Sequence, residues 1–298
     1  MRNGSAFEGL GVAMVTPFNA QGQIDYPALQ RLVEHLIQGG VDYLVVHGTT
    51  GESPVLGPEE KRAALDFVLE VNNGRRPVVL GIGGNNTAAV VKELKESDLS
   101  GVTGILSVSP SYNKPTQVGI VAHYRQVAEA SSLPFILYNV PARTSSNVEA
   151  STTLLLADEI PHMVAVKEAS GNMVQIMEII QDAPEGFAVL SGDDALGLPI
   201  LAAGGKGVIS VVGNAFPDPY AKMVHAARKG DMVTARHHHY QLLDTINLLF
   251  VEGNPSGVKE ALQYLGICER HVRLPLVSVS EETRKAIYAS MAEGELVG

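Results

Sequence analysis

The 298-residue chain carries 22 Lys and Arg against 32 Asp and Glu, a net charge of −10, with 45% hydrophobic residues. The acidic balance argues against a nucleic-acid partner, which would need a basic face. Cys268 is the only cysteine, so an internal disulfide is excluded and a reducing compartment is favoured. The first residues lack a signal-peptide pattern, and no apolar run approaches the length of a membrane span. We therefore expect a soluble, cytoplasmic, globular protein without a membrane partner.

Short apolar segments that end in small or polar residues recur along most of the chain. The segments between them have helical periodicity, with helix starts predicted at Pro58 and Thr116. Near-continuous apolar strands are typical of parallel sheets covered on both faces. Eight strand–helix units predict a (β/α)₈ TIM barrel over residues 1–230, and their even spacing favours it over an open doubly wound sheet. The strands are predicted to begin near Val12, Tyr43, Val78, Ile105, Phe135, Val164, Ala188 and Val208.

The pattern changes after residue 230, where strand candidates end and only helical stretches follow. These stretches cover about 235–251, 257–265 and 281–292. A segment of this length makes little core of its own. We therefore expect residues 231–298 to form a C-terminal helical appendage on the barrel.

The sixth apolar segment ends abruptly on Lys167. A lysine is rarely buried unless it is paired or functional. Burial lowers the pKa of a lysine, and a neutral amine is the nucleophile that forms Schiff bases with carbonyl compounds. The alternative is a lysine that marks the strand end and extends into solvent.

Other strand ends carry polar groups that suit a carbonyl substrate. In TIM barrels the active site lies at the carboxyl ends of the strands. Thr49 and Thr50 offer hydroxyls beside glycine, Tyr138 can move protons, and Arg143 can bind a carboxylate with two hydrogen bonds. Singly, each could be a turn, a core aromatic or a solvated charge. Their convergence on one rim with Lys167 predicts an active site.

Six motifs together carry a resemblance to a known family. In order along the chain they are GTTGE, SYNKP, YNVPART, KEASGN, SGDD and GVISV. Over essentially the whole chain the sequence resembles the dihydrodipicolinate synthase family of pyruvate-dependent lyases and aldolases, to which N-acetylneuraminate lyase is related. The resemblance implies an enzyme that condenses pyruvate with L-aspartate 4-semialdehyde to 4-hydroxy-tetrahydrodipicolinate, in lysine and diaminopimelate biosynthesis. It implies neither a metal nor an organic cofactor.

The resemblance also implies catalytic roles. Lys167 would form the Schiff base with pyruvate, and Tyr138 beside it would transfer protons. Thr49 would link Tyr138 by hydrogen bonds to Tyr112, which in this family enters the site from a neighbouring subunit. The implied assembly is a homotetramer built as a dimer of dimers.

Four further residues would bind or enclose the substrates. Thr50 would hold the pyruvate carboxylate and Arg143 the carboxylate of the semialdehyde. Gly192 and Ile209 would contribute backbone carbonyls to the site wall.

Two other functions stay open. A sibling aldolase acting on a sugar-derived 2-keto acid, of the N-acetylneuraminate or keto-deoxy-gluconate type, is the nearer one, although Thr50 and Arg143 favour the synthase. A barrel that binds small carboxylates without turnover is the other, and the pairing of Lys167 with Tyr138 argues against it.

Three sequence features invite other interpretations. Consecutive histidines at 237–239 point about 100° apart on a helix and cannot share one metal ion. Relatives inhibited by lysine carry histidines and a glutamate where this chain has Pro58, Lys61 and Ala89, which predicts insensitivity to lysine. Cys268 is expected to be a small buried residue.

Overall fold

Eight parallel strands close into a barrel in chain order, and this confirms the predicted TIM barrel. The computed structural model describes residues 4–296. The first strand pairs with the last through Leu10 and Val208, so the open-sheet alternative is wrong. The strands are β1 Gly9–Ala13, β2 Tyr43–Val46, β3 Val78–Gly81, β4 Gly104–Val108, β5 Phe135–Asn139, β6 Met163–Glu168, β7 Ala188–Ser191 and β8 Gly207–Ser210.

The first strand differs most from its predicted position. It begins at Gly9 and ends at Ala13, whereas the sequence predicted an apolar strand from Val12 onwards. Beyond the strand, the backbone N–H of Val15 donates to the side chain of Asn214 rather than to a neighbouring strand. Pro17, which has no N–H to donate to a ladder, then ends any continuation of the strand.

Helices alternate with the strands around the outside of the barrel. Several begin at a side-chain cap, as when Thr116 accepts a hydrogen bond from the backbone N–H of Gly119. The helix starts predicted at Pro58 and Thr116 are confirmed. The barrel helices are α1 Tyr26–Gln38, α2 Pro58–Asn72, α3 Thr87–Glu96, α4 Gln117–Glu129, α5 Pro141–Thr144, α6 Ala150–Glu159, α7 Met173–Asp182, α8 Gly197–Ala202 and α9 Pro217–Arg228.

Apolar side chains form an outer layer between strands and helices and an inner cluster inside the barrel. On β6, Val166 packs in the outer layer and Ala165 packs in the inner cluster. Because successive strand residues point to opposite faces, Lys167 shares the inward direction of Ala165. The strand pattern therefore places an amine at the top of the barrel interior.

Three helices follow the barrel, close to the predicted bounds. They are α10 Met232–Phe250, α11 Ser256–Tyr264 and α12 Glu281–Glu293. Their buried side chains, such as Ile246 and Leu262, belong to the same apolar cluster as the outer barrel layer. The division into a barrel over residues 1–230 and a helical appendage over residues 231–298 stays a prediction, and its outer limits at residues 1 and 298 lie outside the described residues.

Two sequence features of the C-terminal helices are clarified. Of the consecutive histidines, His239 is buried and His237 is exposed, so they point in different directions. Within residues 4–296 no group of three or more His, Cys, Asp or Glu side chains is arranged to hold a metal ion. Cys268 is a buried free thiol, as predicted. No helix within residues 4–296 is long and apolar enough to cross a bilayer.

Candidate active site

A cavity of about 530 Å³ opens at the carboxyl ends of the strands, where barrel enzymes hold their active sites. The loops after β2, β5, β6 and β7 form its floor and sides. The helix α10 and the segment that follows it form the remaining wall. Its lining includes Thr49, Thr50, Tyr138, Val140, Arg143, Lys167, Gly192, Asp193, Val211, Ile246, Asn247, Phe250 and Asn254.

Lys167 lies at the base of this cavity, 4% exposed, with Nζ 4.3 Å from the centre of the Tyr138 ring. Burial lowers the pKa of Lys167 to about 8, with the charge of Asp194 opposing and that of Arg143 assisting the shift. At this pKa about one amine in ten is neutral at pH 7, far more than for an ordinary lysine. The interpretation of Lys167 as a solvent-exposed strand end is therefore wrong.

Tyr138 lies beside Lys167 because the two residues are register partners on β5 and β6. Its hydroxyl is hydrogen-bonded to Thr49. Burial raises the pKa of Tyr138, against smaller opposing effects of the Arg143 charge and the Thr49 hydrogen bond. The phenol therefore keeps its proton at neutral pH and can both donate and accept one next to the amine.

Thr49 and Thr50 lie on a single 3₁₀ turn, Thr49–Gly51, directly after β2. Thr50 is buried, and its Oγ1 accepts a hydrogen bond of 2.9 Å from Asn254 Nδ2. A hydroxyl that accepts from an amide keeps its own proton to donate elsewhere. Because Thr50 lines the cavity, that proton is available to an anion inside it.

Arg143 flanks the cavity on the short helix α5 after β5, and Gly192 flanks it on the loop after β7. Arg143 is exposed and brings a positive charge to the wall near Lys167. A Cβ on Gly192 would lie 2.9 Å from Cε of Lys167 and 2.8 Å from Cβ of Ala169. Only a glycine at this position avoids a steric clash with the side chain of Lys167.

Two predicted site residues do not line the cavity. Ile209 is fully buried in the inner cluster on β8. Tyr112 is 88% exposed on the loop after β4, and its backbone N–H donates to the carbonyl of Thr144. The hydrogen bond predicted between Thr49 and Tyr112 is therefore not formed between the described residues of a single chain.

A buried carboxylate supports the end of β6, and sequence reasoning gave it no role. Glu168, fully buried, accepts hydrogen bonds from Asn139 Nδ2 and from Ser170 Oγ. Burial raises the pKa of Glu168, and these hydrogen bonds oppose that shift. These hydrogen bonds hold the end of β6 in place, next to Lys167. A glutamate directly after an apolar strand was the available signal.

The C-terminal helices contribute to the site, which the sequence analysis did not anticipate. Ile246, Asn247 and Phe250 on α10 line the cavity, as does Asn254 in the connection to α11. Asn254 lies 204 residues from Thr50 along the chain, so no local pattern connects them.

Comparisons with known proteins agree with this geometry. The sequence pattern of the dihydrodipicolinate synthetase family matches residues 6–293. A 4-hydroxy-tetrahydrodipicolinate synthase of Flavobacterium psychrophilum is 51% identical over 277 residues, 93% of this chain and 94% of the relative.

Solved structures give the same result. Dihydrodipicolinate synthase from Thermotoga maritima superposes with a TM-score of 0.95 at 38% identity, covering 97% of this chain and 99% of the other. A structure described as a monomeric dihydrodipicolinate synthase variant also has a TM-score of 0.95 at 38% identity, covering 98% of both chains. Full-length coverage at these identities, on a barrel with a buried lysine at its carboxyl rim, leads to one conclusion: the chain belongs to the dihydrodipicolinate synthetase family.

Proposed function

We propose that this chain is a 4-hydroxy-tetrahydrodipicolinate synthase, a lyase that condenses pyruvate with L-aspartate 4-semialdehyde in lysine and diaminopimelate biosynthesis. The observation that carries the proposal is the buried amine of Lys167, with a pKa near 8, beside the Tyr138 ring. Family membership and the names of the relatives support the choice of substrates.

The reaction begins with the neutral amine of Lys167. Its nitrogen attacks the keto carbon of pyruvate, and the carbonyl oxygen takes up a proton from Tyr138. The nitrogen then gives one of its two protons back to Tyr138, which passes it to the new hydroxyl group. This group leaves as water, so that the C=O bond is replaced by a C=N bond to Lys167, whose nitrogen keeps one proton and carries the positive charge. The hydrogen bond between Thr49 and Tyr138 orients the phenol for these transfers.

Carbon–carbon bond formation follows from the positive charge on the imine. Tyr138 removes a proton from the former methyl group of pyruvate, which gives an enamine because the imine nitrogen accepts the electron pair. The enamine carbon attacks the aldehyde carbon of the second substrate, whose oxygen takes up the proton from Tyr138. The amino group of that substrate then adds to the imine carbon and displaces Lys167, which closes the ring and frees the enzyme.

Carboxylate binding divides between two parts of the cavity wall. Thr50, whose hydroxyl proton is free to donate, binds the pyruvate carboxylate together with backbone N–H groups of its loop. Arg143 on α5 binds the carboxylate of the semialdehyde. Gly192 leaves room for the lysine between them. The Ile209 side chain packs in the inner cluster, so the part we propose for this residue is limited to its backbone carbonyl. These roles require neither a metal nor an organic cofactor.

Tyr112 is proposed to complete the site of a neighbouring subunit. Its ring projects into solvent from the surface of one chain, where a second chain can approach. We propose a cytoplasmic homotetramer built as a dimer of dimers. One structural relative is described as monomeric, so the assembly needs a direct test.

A coupled assay tests the proposed function. Pyruvate with L-aspartate 4-semialdehyde should turn over, whereas N-acetylneuraminate and keto-deoxy-gluconate should not. Lys167→Ala should lose the synthase activity except for a slow residual turnover. That residual turnover is expected because the rest of the site still orients the substrates without the amine. Lys206→Ala, a matched change at an exposed lysine, should keep the rate within about twofold of wild type. Turnover of a sugar acid without turnover of the semialdehyde would instead identify a sibling aldolase.

A further inference from the structure

The loop that carries Thr49 and Thr50 ends on Glu52, in a backbone conformation that needs support. Glu52 has φ of 54°, in the left-handed region that an L-residue with a side chain adopts only at a cost. Backbone hydrogen bonds within the turn are local, such as that from the N–H of Glu52 to the carbonyl of Thr49. The position of the loop relative to the cavity must come from contacts outside the turn.

Glu52 supplies two of those contacts through its two carboxylate oxygens, although its side chain is only 1% exposed. Oε1 accepts from Nζ of Lys259 at 2.5 Å, and Oε2 accepts from the backbone N–H of Arg273 at 2.9 Å. A buried carboxylate is tolerated when it is paired and hydrogen-bonded in this way. Both partners come from the C-terminal part of the chain.

Lys259, on α11, is as deeply buried as its partner. Its Nζ also donates to the carbonyl of His271 at 2.7 Å and lies 4.3 Å from the centre of the Phe18 ring. Neither Glu52 nor Lys259 lines the cavity that contains Lys167. The pair therefore lies behind the site and has no access to a substrate there.

The same C-terminal segment contacts the loop a second time. Asn254, five residues before Lys259, donates to Oγ1 of Thr50, two residues before Glu52. A buried ion pair contributes little net stability compared with apolar residues of similar volume. Two specific contacts from the C-terminal part, to Thr50 and to Glu52, instead determine where the loop lies relative to Lys167, together with the hydrogen bond of 2.7 Å from Thr16 Oγ1 to the Gly51 carbonyl.

We propose that the Glu52–Lys259 ion pair is a positioning element of the pyruvate site, which holds Thr49 and Thr50 in place from behind the cavity. The inference rests on the proposed function, because it takes Thr50 as the group that binds the pyruvate carboxylate. The two residues are positioning residues, and the group they act through is the Thr50 hydroxyl.

Trapping of pyruvate with borohydride tests this without the second substrate. Lys259→Met alone leaves a buried carboxylate unpaired and should lower the Tm. The double variant Glu52→Gln/Lys259→Met leaves no unpaired charge, so its Tm should return towards wild type. Its pyruvate concentration for half-maximal trapping should nevertheless rise at least about tenfold, because the loop has lost its charged anchor.

Two controls separate positioning from a purely structural role. Arg125→Met/Glu159→Gln removes an exposed ion pair between α4 and α6 and should leave half-maximal trapping within about twofold of wild type. In the Glu52–Lys259 double variant, the KM for aspartate semialdehyde should also stay within about twofold, while the KM for pyruvate rises. A structural role alone would restore both KM values together with the Tm.

Unchanged half-maximal trapping in the folded double variant would overturn the inference while the proposed function stands. If that variant does not fold, Glu52→Asp decides, since it keeps the charge but withdraws it by one methylene. A higher pyruvate requirement in Glu52→Asp would support positioning, and an unchanged one would overturn it. Wild-type protein that traps no pyruvate at all would overturn the proposed function and this inference with it.

Discussion

Lys167 owes its chemistry to its surroundings more than to its residue type. Burial withdraws solvent from the ammonium form, and the Arg143 charge acts in the same direction. Asp194 opposes them, so the pKa settles at about 8 rather than lower. The sequence predicted a lysine at a strand end, but the balance between Asp194 and Arg143 depends on three-dimensional contacts.

This balance predicts the pH dependence of the first step. The protonated amine is unreactive, so kcat/KM for pyruvate should rise with pH towards a plateau, with an apparent pKa of about 8. Initial rates across pH 6 to 10 measure it. Arg143→Gln removes a like charge and should move this apparent pKa upwards. A rate independent of pH from 6 to 10 would contradict the assignment of Lys167.

Gly192 is predicted to be essential for a steric reason. A Cβ at this position would approach Cε of Lys167 to 2.9 Å and force the amine out of place. Gly192→Ala should lower kcat/KM about a hundredfold, the scale of a displacement near 1 Å, while the Tm changes little. Gly84→Ala, where the nearest side-chain atom is 3.6 Å away, is the matched control. Wild-type activity in Gly192→Ala would show that the lysine adapts.

At the scale of elements, strand order and strand ends were predictable because buried parallel strands have a strong apolar signature. The bounds of α10, α11 and α12 also followed from helical periodicity. The early end of β1 did not, because it depends on Asn214 accepting from the Val15 backbone. A side chain that takes the place of a neighbouring strand as hydrogen-bond partner leaves no pattern in the local sequence.

The helices α2 and α3 carry the prediction on regulation. Lys61 on α2 and Glu93 on α3 line one groove, together with Pro58 and Ala89. The Lys61 ammonium disfavours a cationic ligand in that groove. Turnover at fixed pyruvate should therefore be unaffected by rising L-lysine. Saturable inhibition at submillimolar lysine would contradict this and point to Glu93 as the carboxylate that binds the ligand.

At the scale of the whole molecule, the sequence predicted the barrel, and most of the residues it proposed for the site line one cavity. It did not predict the part played by the C-terminal helices. Asn254 reaches Thr50 across 204 residues, and Lys259 reaches Glu52 across 207. Helical periodicity identifies which residues are apolar but not which distant loop a polar residue meets. The predicted appendage thus supplies one wall of the cavity.

Tyr112 leads to a prediction about assembly. If it completes a neighbour's site, Lys167→Ala and Tyr112→Phe should each be impaired alone. Mixed and reassembled, they should regain part of the activity, because in a two-fold pair one site then has both residues. Size-exclusion chromatography with light scattering should confirm an oligomer. Absence of recovery, despite proven exchange of subunits, would count against a shared site.

The central claim is that Lys167 is the residue that becomes covalently bound to pyruvate. The most direct measurement is incubation with pyruvate and borohydride, followed by digestion and mass spectrometry of the labelled peptide. The account predicts one label per chain, on Lys167, and no label in Lys167→Ala. A label on another lysine, such as Lys114 or Lys206, or undiminished labelling of Lys167→Ala, would contradict it.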